Sequence, residues 1–152
     1  MGNFIGSVYC IFESLFGSEL ANYLWGNASP EQTDNLYVTV GLSMFVISIV
    51  FAFLFYKVVD RPQFNTKLAW GISAIVNSLI NFFVAFIMLL SHESQGLMYE
   101  INPATQLQES LSIDHSDFIA FGVSNFIIAA VIYFVISLLM KRLSTNCWTV
   151  PF

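Results

Sequence analysis

Three long apolar runs dominate the pattern of hydrophobic and polar positions along this chain. Residues 36–56, 68–90 and 118–140 each extend for 21 to 23 positions without an Asp, Glu, Lys or Arg. A hydrocarbon core about 30 Å thick needs roughly 20 helical residues to cross. The pattern therefore predicts an all-α integral membrane protein, with three transmembrane helices in a single membrane domain.

The N-terminal segment has a different periodicity. Residues 3–25 place apolar side chains at helical spacing on one face, and mostly small, weakly polar side chains on the other. This spacing predicts an amphipathic helix that lies in the membrane interface or packs against the bundle. Its candidate docking or interfacial residues are Phe12, Glu13, Phe16 and Trp25. A fourth span is the alternative, and it would place Glu13 near mid-membrane at a cost of about 2.5–3.5 kcal/mol.

The connections between the spans carry capping signals and a possible surface element. Polar residues stand at the start of the second and third spans, where a side-chain oxygen can accept a main-chain N–H. The candidates are Asn65 or Thr66 for the second span and Asp114 or Ser116 for the third. In the 91–116 loop, Asn102-Pro103 with apolar positions after it predicts a short surface helix.

Charge is distributed unequally between the two ends of the spans. A single orientation puts all five basic residues on one side and nine of the ten acidic residues on the other, with Asp60 as the exception. The basic residues are Lys57, Arg61, Lys67, Lys141 and Arg142. Because short loops rich in Lys and Arg stay cytoplasmic, we expect a cytoplasmic tail at 141–152, with the N-terminus and the 91–116 loop outward. The composition fits a bacterial inner membrane or an organelle membrane.

The second span contains the strongest candidate for a functional site. Ser73, Asn77 and Asn81 fall at i, i+4 and i+8, which aligns them on one face of an otherwise apolar helix. A carboxamide facing lipid would leave donors and acceptors unpaired, so this face must meet another helix, another subunit or water. With Asn125 of the third span as a contributor, it forms either interhelical packing contacts or the neutral lining of an oligomeric pore.

Small residues in the first span predict close helix packing. Gly41, Ser48 and Ala52 would let a neighbouring backbone approach.

On the outward side, His92-Glu93 and Asp114-His115 could meet if the second and third spans are neighbours, and could then bind a divalent ion or sense pH. Because no ligand pair has the local spacing of a known metal site, we predict no metal. Because no histidine falls within a span, where it could bind haem or a quinone, we predict no cofactor.

The chemistry of the spans argues against an enzyme. They contain no charged residue, and no Ser-His or Cys-His constellation lies on one side of the membrane. We therefore expect a non-enzymatic membrane subunit that oligomerises, or that anchors or docks a larger membrane assembly. The alternative is a homo-oligomeric pore, channel or membrane-permeabilising effector lined by the polar face of the second span.

The expected partners follow from the same features. They are the lipid bilayer and other copies of the chain, other membrane protein subunits, or both. The net charge of −5 argues against binding to nucleic acid.

Overall fold

Helices make up most of this protein. The computed structural model describes residues 2–28, 34–58, 66–101 and 107–141. In chain order the elements are α1 (Gly2–Cys10), α2 (Glu13–Phe16), α3 (Ser18–Trp25), α4 (Leu36–Phe53), a π-helix (Leu54–Val58), α5 (Lys67–Ser94), β1 (Tyr99–Ile101), β2 (Gln108–Ser110) and α6 (His115–Lys141).

Three of these helical segments are long and apolar enough to cross a membrane. They are Leu36–Lys57, Lys67–Ser94 and His115–Lys141. The predicted class, an all-α integral membrane protein with three transmembrane helices, is thereby confirmed. Almost all of the tail predicted at 141–152 lies outside the described residues.

Polar side chains fix the starts of α5 and α6. The Thr66 hydroxyl accepts a hydrogen bond from the main-chain N–H of Ala69 at 3.2 Å, which caps α5. At the start of α6, an oxygen of Asp117 accepts the N–H of Asp114 at 3.1 Å. This is the reciprocal contact of a capping box, with an acid three residues into the helix reaching back to the capping residue.

The N-terminal segment forms three short helices, not the single helix predicted over 3–25. Gly17 separates α2 from α3 with φ 82° and ψ 155°, a backbone conformation that residues with a Cβ rarely adopt. The helices have 9, 4 and 8 residues, and none approaches the length of about 20 that a span requires. The segment therefore lacks the long helix that a fourth span would need.

The chain divides into two compact units. The first comprises Met1–Leu42 and Phe83–Ser124, and the second comprises Ser43–Phe82 and Asn125–Phe152. Each of the three long helices contributes one part to each unit.

An aromatic cluster forms the core of the first unit. Tyr9 of α1 stacks on Tyr37 of α4 with ring centroids 5.1 Å apart, and it lies 5.4 Å from Phe121 of α6. Phe16 meets Phe121 edge-on at 5.4 Å, and Trp25 meets Tyr37 edge-on at 5.3 Å. Such pairs contribute about 0.5–1.5 kcal/mol each beyond their buried area. The cluster holds the N-terminal helices against the first turns of α4 and α6.

Two glycines allow this close packing. A Cβ added at Gly6 would overlap the indole ring of Trp25, and one added at Gly41 would lie 2.5 Å from the Ile5 side chain. Both glycines therefore stand where α1 makes its closest contacts. Gly41, predicted to support helix packing, packs against α1.

The second unit has its own apolar core. Ala52, Phe55, Tyr56, Tyr133 and Ile136 are buried together. They come from the last turns of α4, the π-helix and α6. The predicted packing residue Ala52 thus lies inside this core.

A small antiparallel hairpin occupies part of the 91–116 loop. Strand β1 pairs with β2 so that Glu100 lies opposite Glu109. The prediction of a short surface helix in this loop is wrong for Gln108–Ser110, which forms a strand. Residues 102–106 of the same prediction lie outside the described residues. Like charges directly opposite each other destabilise a strand pair, so the Glu100–Glu109 pair weakens this hairpin.

Much of the apolar surface of the spans is not covered by the chain itself. Only 28% to 44% of the most apolar 18-residue window of each span is buried. Lipid or partner helices must cover the remainder, because exposed apolar surface on this scale would not be stable in water.

The glycine contacts generate a stability prediction. Gly6→Ala and Gly41→Ala should each lower the free energy of unfolding by about 1–3 kcal/mol, because the added methyl group overpacks the contact between α1 and its neighbours. Thermal and denaturant unfolding in detergent, followed by circular dichroism, measures the effect. Gly71→Ala is the matched control, since nothing lies within 4 Å of its added Cβ. Equal destabilisation by all three variants would contradict the packing role.

Candidate functional site

The predicted polar face of α5 lies inside the second unit. The side-chain amide of Asn77 donates a hydrogen bond to the hydroxyl of Ser48 on α4 at 3.2 Å. Ser48, Asn77, Asn81 and Asn125 are all 0% exposed. These four residues, which we call the polar cluster, therefore face neither lipid nor water within a single chain.

The other hydrogen bonds of the polar cluster reach main-chain oxygens. The amide of Asn81 donates to the carbonyl oxygen of Asn77 at 2.9 Å, one turn earlier in α5. The amide of Asn125 on α6 donates to the carbonyl oxygen of Asn81 at 2.7 Å. With the Ser48 contact, these bonds connect α4, α5 and α6 through α5. The sequence identified the three asparagines and Ser48 but assigned Ser48 to backbone packing alone.

Two further hydrogen bonds extend the polar contacts toward the first turn of α5. The Ser73 hydroxyl lies 2.8 Å from the Tyr133 hydroxyl, and the Trp70 indole N–H donates to the Ser137 hydroxyl at 3.2 Å. Sequence reasoning missed Tyr133 and Ser137. Their i, i+4 spacing on α6 was the available signal, because it matches the spacing of the polar face on α5.

Two buried oxygens near the polar cluster have no hydrogen-bond partner among the described residues. They are the Asn81 side-chain oxygen and the Ser78 hydroxyl. The two residues are three positions apart on α5, so they lie on neighbouring parts of its surface. An unpaired polar group in an apolar interior costs about 1–3 kcal/mol. The site thus offers neutral acceptors and a hydroxyl, which can hold a water molecule but provide no charged acid or base.

The N-terminal residues predicted to dock a partner divide into two groups. Phe16 is fully buried, and Trp25 packs on Tyr37 and Gly6, so both hold the N-terminal helices in place. Phe12 and Glu13 are only partly buried. Trp25 is itself partly buried, so Phe16 is the one residue of the four that is fully buried.

A second apolar face of the N-terminal helices is exposed. Phe4 is 77% exposed, Ile11 75% and Leu15 55%. Phe4 belongs to α1, Ile11 lies in the turn between α1 and α2, and Leu15 belongs to α2. All three lie outside the three spanning helices, so the spans do not account for their exposure. We call these three residues the outer apolar face.

One pair of the groups predicted to meet near the ends of α5 and α6 does so in the first unit. The His115 imidazole lies 3.2 Å from the Glu93 carboxylate, and both side chains are exposed. His92 instead forms a hydrogen bond with Tyr23, in which its Nδ1 atom lies 2.9 Å from the tyrosine hydroxyl. Burial raises the pKa of Tyr23 to about 12, so its hydroxyl keeps its proton at neutral pH. Within the described ranges, no three His, Cys, Asp or Glu side chains are grouped as metal ligands.

An acidic cleft also lies in the first unit. It encloses about 440 Å³ and is lined by Glu19, Glu100 and Glu109, with side chains of Asn22 and Asn27. Three carboxylates at one surface create a negative potential that attracts cations and basic protein surfaces.

The Ser48–Asn77 hydrogen bond can be tested by a double-mutant cycle. Ser48→Ala should lower the free energy of unfolding by about 1–3 kcal/mol, because it leaves the buried Asn77 amide unpaired. Combined with Asn77→Leu, it should show a coupling energy of about 0.6 kcal/mol, the average for such bonds in membrane bundles, and at most about 1.7 kcal/mol. Unfolding in mixed detergent micelles provides the measurement.

The control for this cycle pairs Asn77→Leu with Ser137→Ala. The Ser137 hydroxyl accepts a hydrogen bond from Trp70, which lies two turns from Asn77 along α5, so the two effects should add to within about 0.5 kcal/mol. A coupling with Ser137 as large as that with Ser48 would show that the measured energy is not specific to the Ser48 hydrogen bond.

Comparison with protein-family models, curated proteins and solved structures finds no match to this chain. Function must therefore be inferred from the contacts, burial and charges of the chain itself.

Proposed function

We propose that this protein is a non-enzymatic integral membrane subunit that docks a partner protein through its N-terminal helices. The observation that carries the proposal is the exposure of Phe4, Ile11 and Leu15 in a segment whose helices α1 and α2 are anchored by the buried rings of Tyr9 and Phe16. A rigidly held apolar face is preorganised for binding, because little conformational entropy remains to be lost when a partner arrives.

The burial of the polar cluster supports a subunit over a pore. A pore lining requires polar side chains that face an axis between copies, and Asn77, Asn81 and Asn125 are fully buried within one chain. Their amides already donate hydrogen bonds inside the protein. In this role the polar cluster stabilises the three-helix arrangement, and the exposed surfaces remain available for partners.

The charge distribution supports an orientation with the N-terminal helices outward. The segments of the first unit contain nine acidic residues and no basic residue, whereas those of the second contain all five basic residues and Asp60. Because Lys and Arg near the ends of spans favour the cytoplasmic side, the N-terminus would face outward and the C-terminus would be cytoplasmic. The bacterial inner membrane and an organelle membrane both fit this orientation.

The same charges indicate the chemistry of the partner. The outer apolar face and the acidic cleft both belong to the first unit, and a partner that contacted both would need an apolar patch and basic residues. The dominant contribution would come from the apolar side chains, since exposed charges mainly affect the rate of association and the choice of partner.

The docking proposal predicts the effect of polar substitution. The double variant Ile11→Gln/Leu15→Gln should reduce the amount of co-purifying partner by about tenfold or more, because loss of about 1.4 kcal/mol of contact energy weakens binding tenfold. Quantitative mass spectrometry of the chemically cross-linked, tagged protein measures it. If the cross-linked species contain only copies of this chain and are lost in the double variant, the partner is a second copy of the chain.

Leu107→Gln is the matched control for this experiment. Leu107 is also apolar, exposed and outside the spans, but it does not belong to the N-terminal helices. Partner recovery that is unchanged in the double variant, or reduced equally by Leu107→Gln, would contradict docking through the outer apolar face.

A homo-oligomeric pore, channel or membrane-permeabilising effector is the second candidate. One observation favours it, namely the buried Asn81 oxygen and Ser78 hydroxyl that lack partners among the described residues and could bind water. In that case Ser73, Asn77 and Asn81 would follow a hydrated path.

Conductance distinguishes the two candidates. The subunit proposal predicts that the purified protein in planar bilayers shows no conductance above that of a detergent control. Conductance by the wild-type protein that disappears with Asn81→Leu, but persists with Ser94→Ala, would favour the pore. Ser94 is an exposed residue at the end of α5, and its hydroxyl donates a hydrogen bond to the carbonyl oxygen of Ser91 in the same helix.

A further inference from the structure

An apolar groove lies in the second unit between two helical segments. One wall is formed by Phe51, Leu54 and Phe55 at the end of α4 and in the π-helix, and the other by α5. The residues of the α5 wall are Ala69, Ile72 and Val76. The groove encloses about 420 Å³, within the range of cavities that bind small molecules. The groove belongs to two spanning helices and is open on one side. A ligand would therefore enter it from the hydrocarbon of the membrane.

The groove offers almost no free hydrogen-bonding group. Ser73 is the one polar residue that lines it, and its hydroxyl lies 2.8 Å from the Tyr133 hydroxyl. A polar ligand would lose its contacts with water in this groove and find few replacements. The lining therefore favours a hydrocarbon chain as the occupant.

Positive charge stands at one end of both walls. Lys57 follows the wall residue Phe55 by two positions in the π-helix, and Lys67, the first residue of α5, precedes Ala69 by two. Both lysine side chains are exposed. Each lies within about one helical turn of the groove, which is within reach of a long, flexible ammonium side chain. An occupant with an apolar chain and a negative head would satisfy both parts of the site.

We propose that this groove binds an anionic phospholipid, with an acyl chain between the two walls and the phosphate near Lys57 and Lys67. Basic pockets beside spanning helices recognise anionic head groups through this combination of charge and apolar contact. The site requires the membrane location of the protein but not the partner proposed for the N-terminal helices. Failure of one proposal therefore leaves the other intact.

Native mass spectrometry tests the lipid site on the intact protein. We would incubate the purified protein with equal amounts of phosphatidylglycerol and phosphatidylcholine in mild detergent, and count the lipids that remain bound in the gas phase. The wild-type protein should retain more phosphatidylglycerol than phosphatidylcholine. The double variant Lys57→Gln/Lys67→Gln should lose this preference, because each lysine that is removed should lower the retention of phosphatidylglycerol by about fivefold. Lys141→Gln removes the same charge from the end of α6 and should leave the preference unchanged.

A second variant tests the apolar part of the site independently of charge. Ala69→Phe should fill the groove and lower the retention of phosphatidylglycerol, whereas Val131→Phe should not, because Val131 is an exposed residue of α6 that does not line the groove. Helical content and melting temperature confirm that each variant is folded. Equal retention of the two lipids by the wild-type protein, equal loss in Lys141→Gln, or no loss in Ala69→Phe would overturn the proposal.

Discussion

Carboxamides within a spanning helix must find hydrogen-bond partners inside the protein, and this constraint shapes the second unit. Lipid offers no donors or acceptors, so Asn77 and Asn81 restrict α5 to arrangements in which other polar groups reach them. Ser48 on α4 meets the amide of Asn77, and Asn125 on α6 reaches the carbonyl oxygen of Asn81. Apolar side chains can pack in many registers, whereas these bonds require one. These hydrogen bonds therefore contribute more to the specificity of helix packing than to its free energy, because each bond stabilises the bundle only slightly.

The sequence predicted the spans well because the bilayer imposes a simple rule of length and polarity. Apolar runs identified all three helices, but their ends depend on local capping. Helix α5 continues to Ser94 through residues that hydropathy excludes, because polar residues at the end of a span can stay helical outside the hydrocarbon. The polar face of α5 was evident from the spacing of its asparagines. The hydrogen-bond partner of each amide was not evident, because Ser48 is both a small residue and a hydroxyl donor and acceptor.

The N-terminal segment was harder to predict because two breaks interrupt a good helical periodicity. Apolar spacing over 3–25 continues through both the turn at Ile11 and Phe12 and the positive φ of Gly17. The break at Gly17 gives α2 and α3 separate directions, so that Phe16 and Trp25 can both turn inward while Leu15 remains exposed. A continuous helix has one buried stripe, whereas this segment uses its aromatic residues for anchoring and leaves other apolar residues uncovered.

The distribution of polar groups separates structural from recognition roles. The polar groups buried in the second unit are neutral amides and hydroxyls, most of them hydrogen-bonded, and a charge there would be costly to desolvate. Carboxylates are concentrated in the first unit, and the described ones of the acidic cleft are exposed, where charge keeps its solvation and can act on an approaching partner. Lys57 and Lys67 near the apolar groove of the second unit are exposed for the same reason. Contacts that fix the fold are thus neutral and internal, while charged groups remain at surfaces where partners or lipid head groups can reach them.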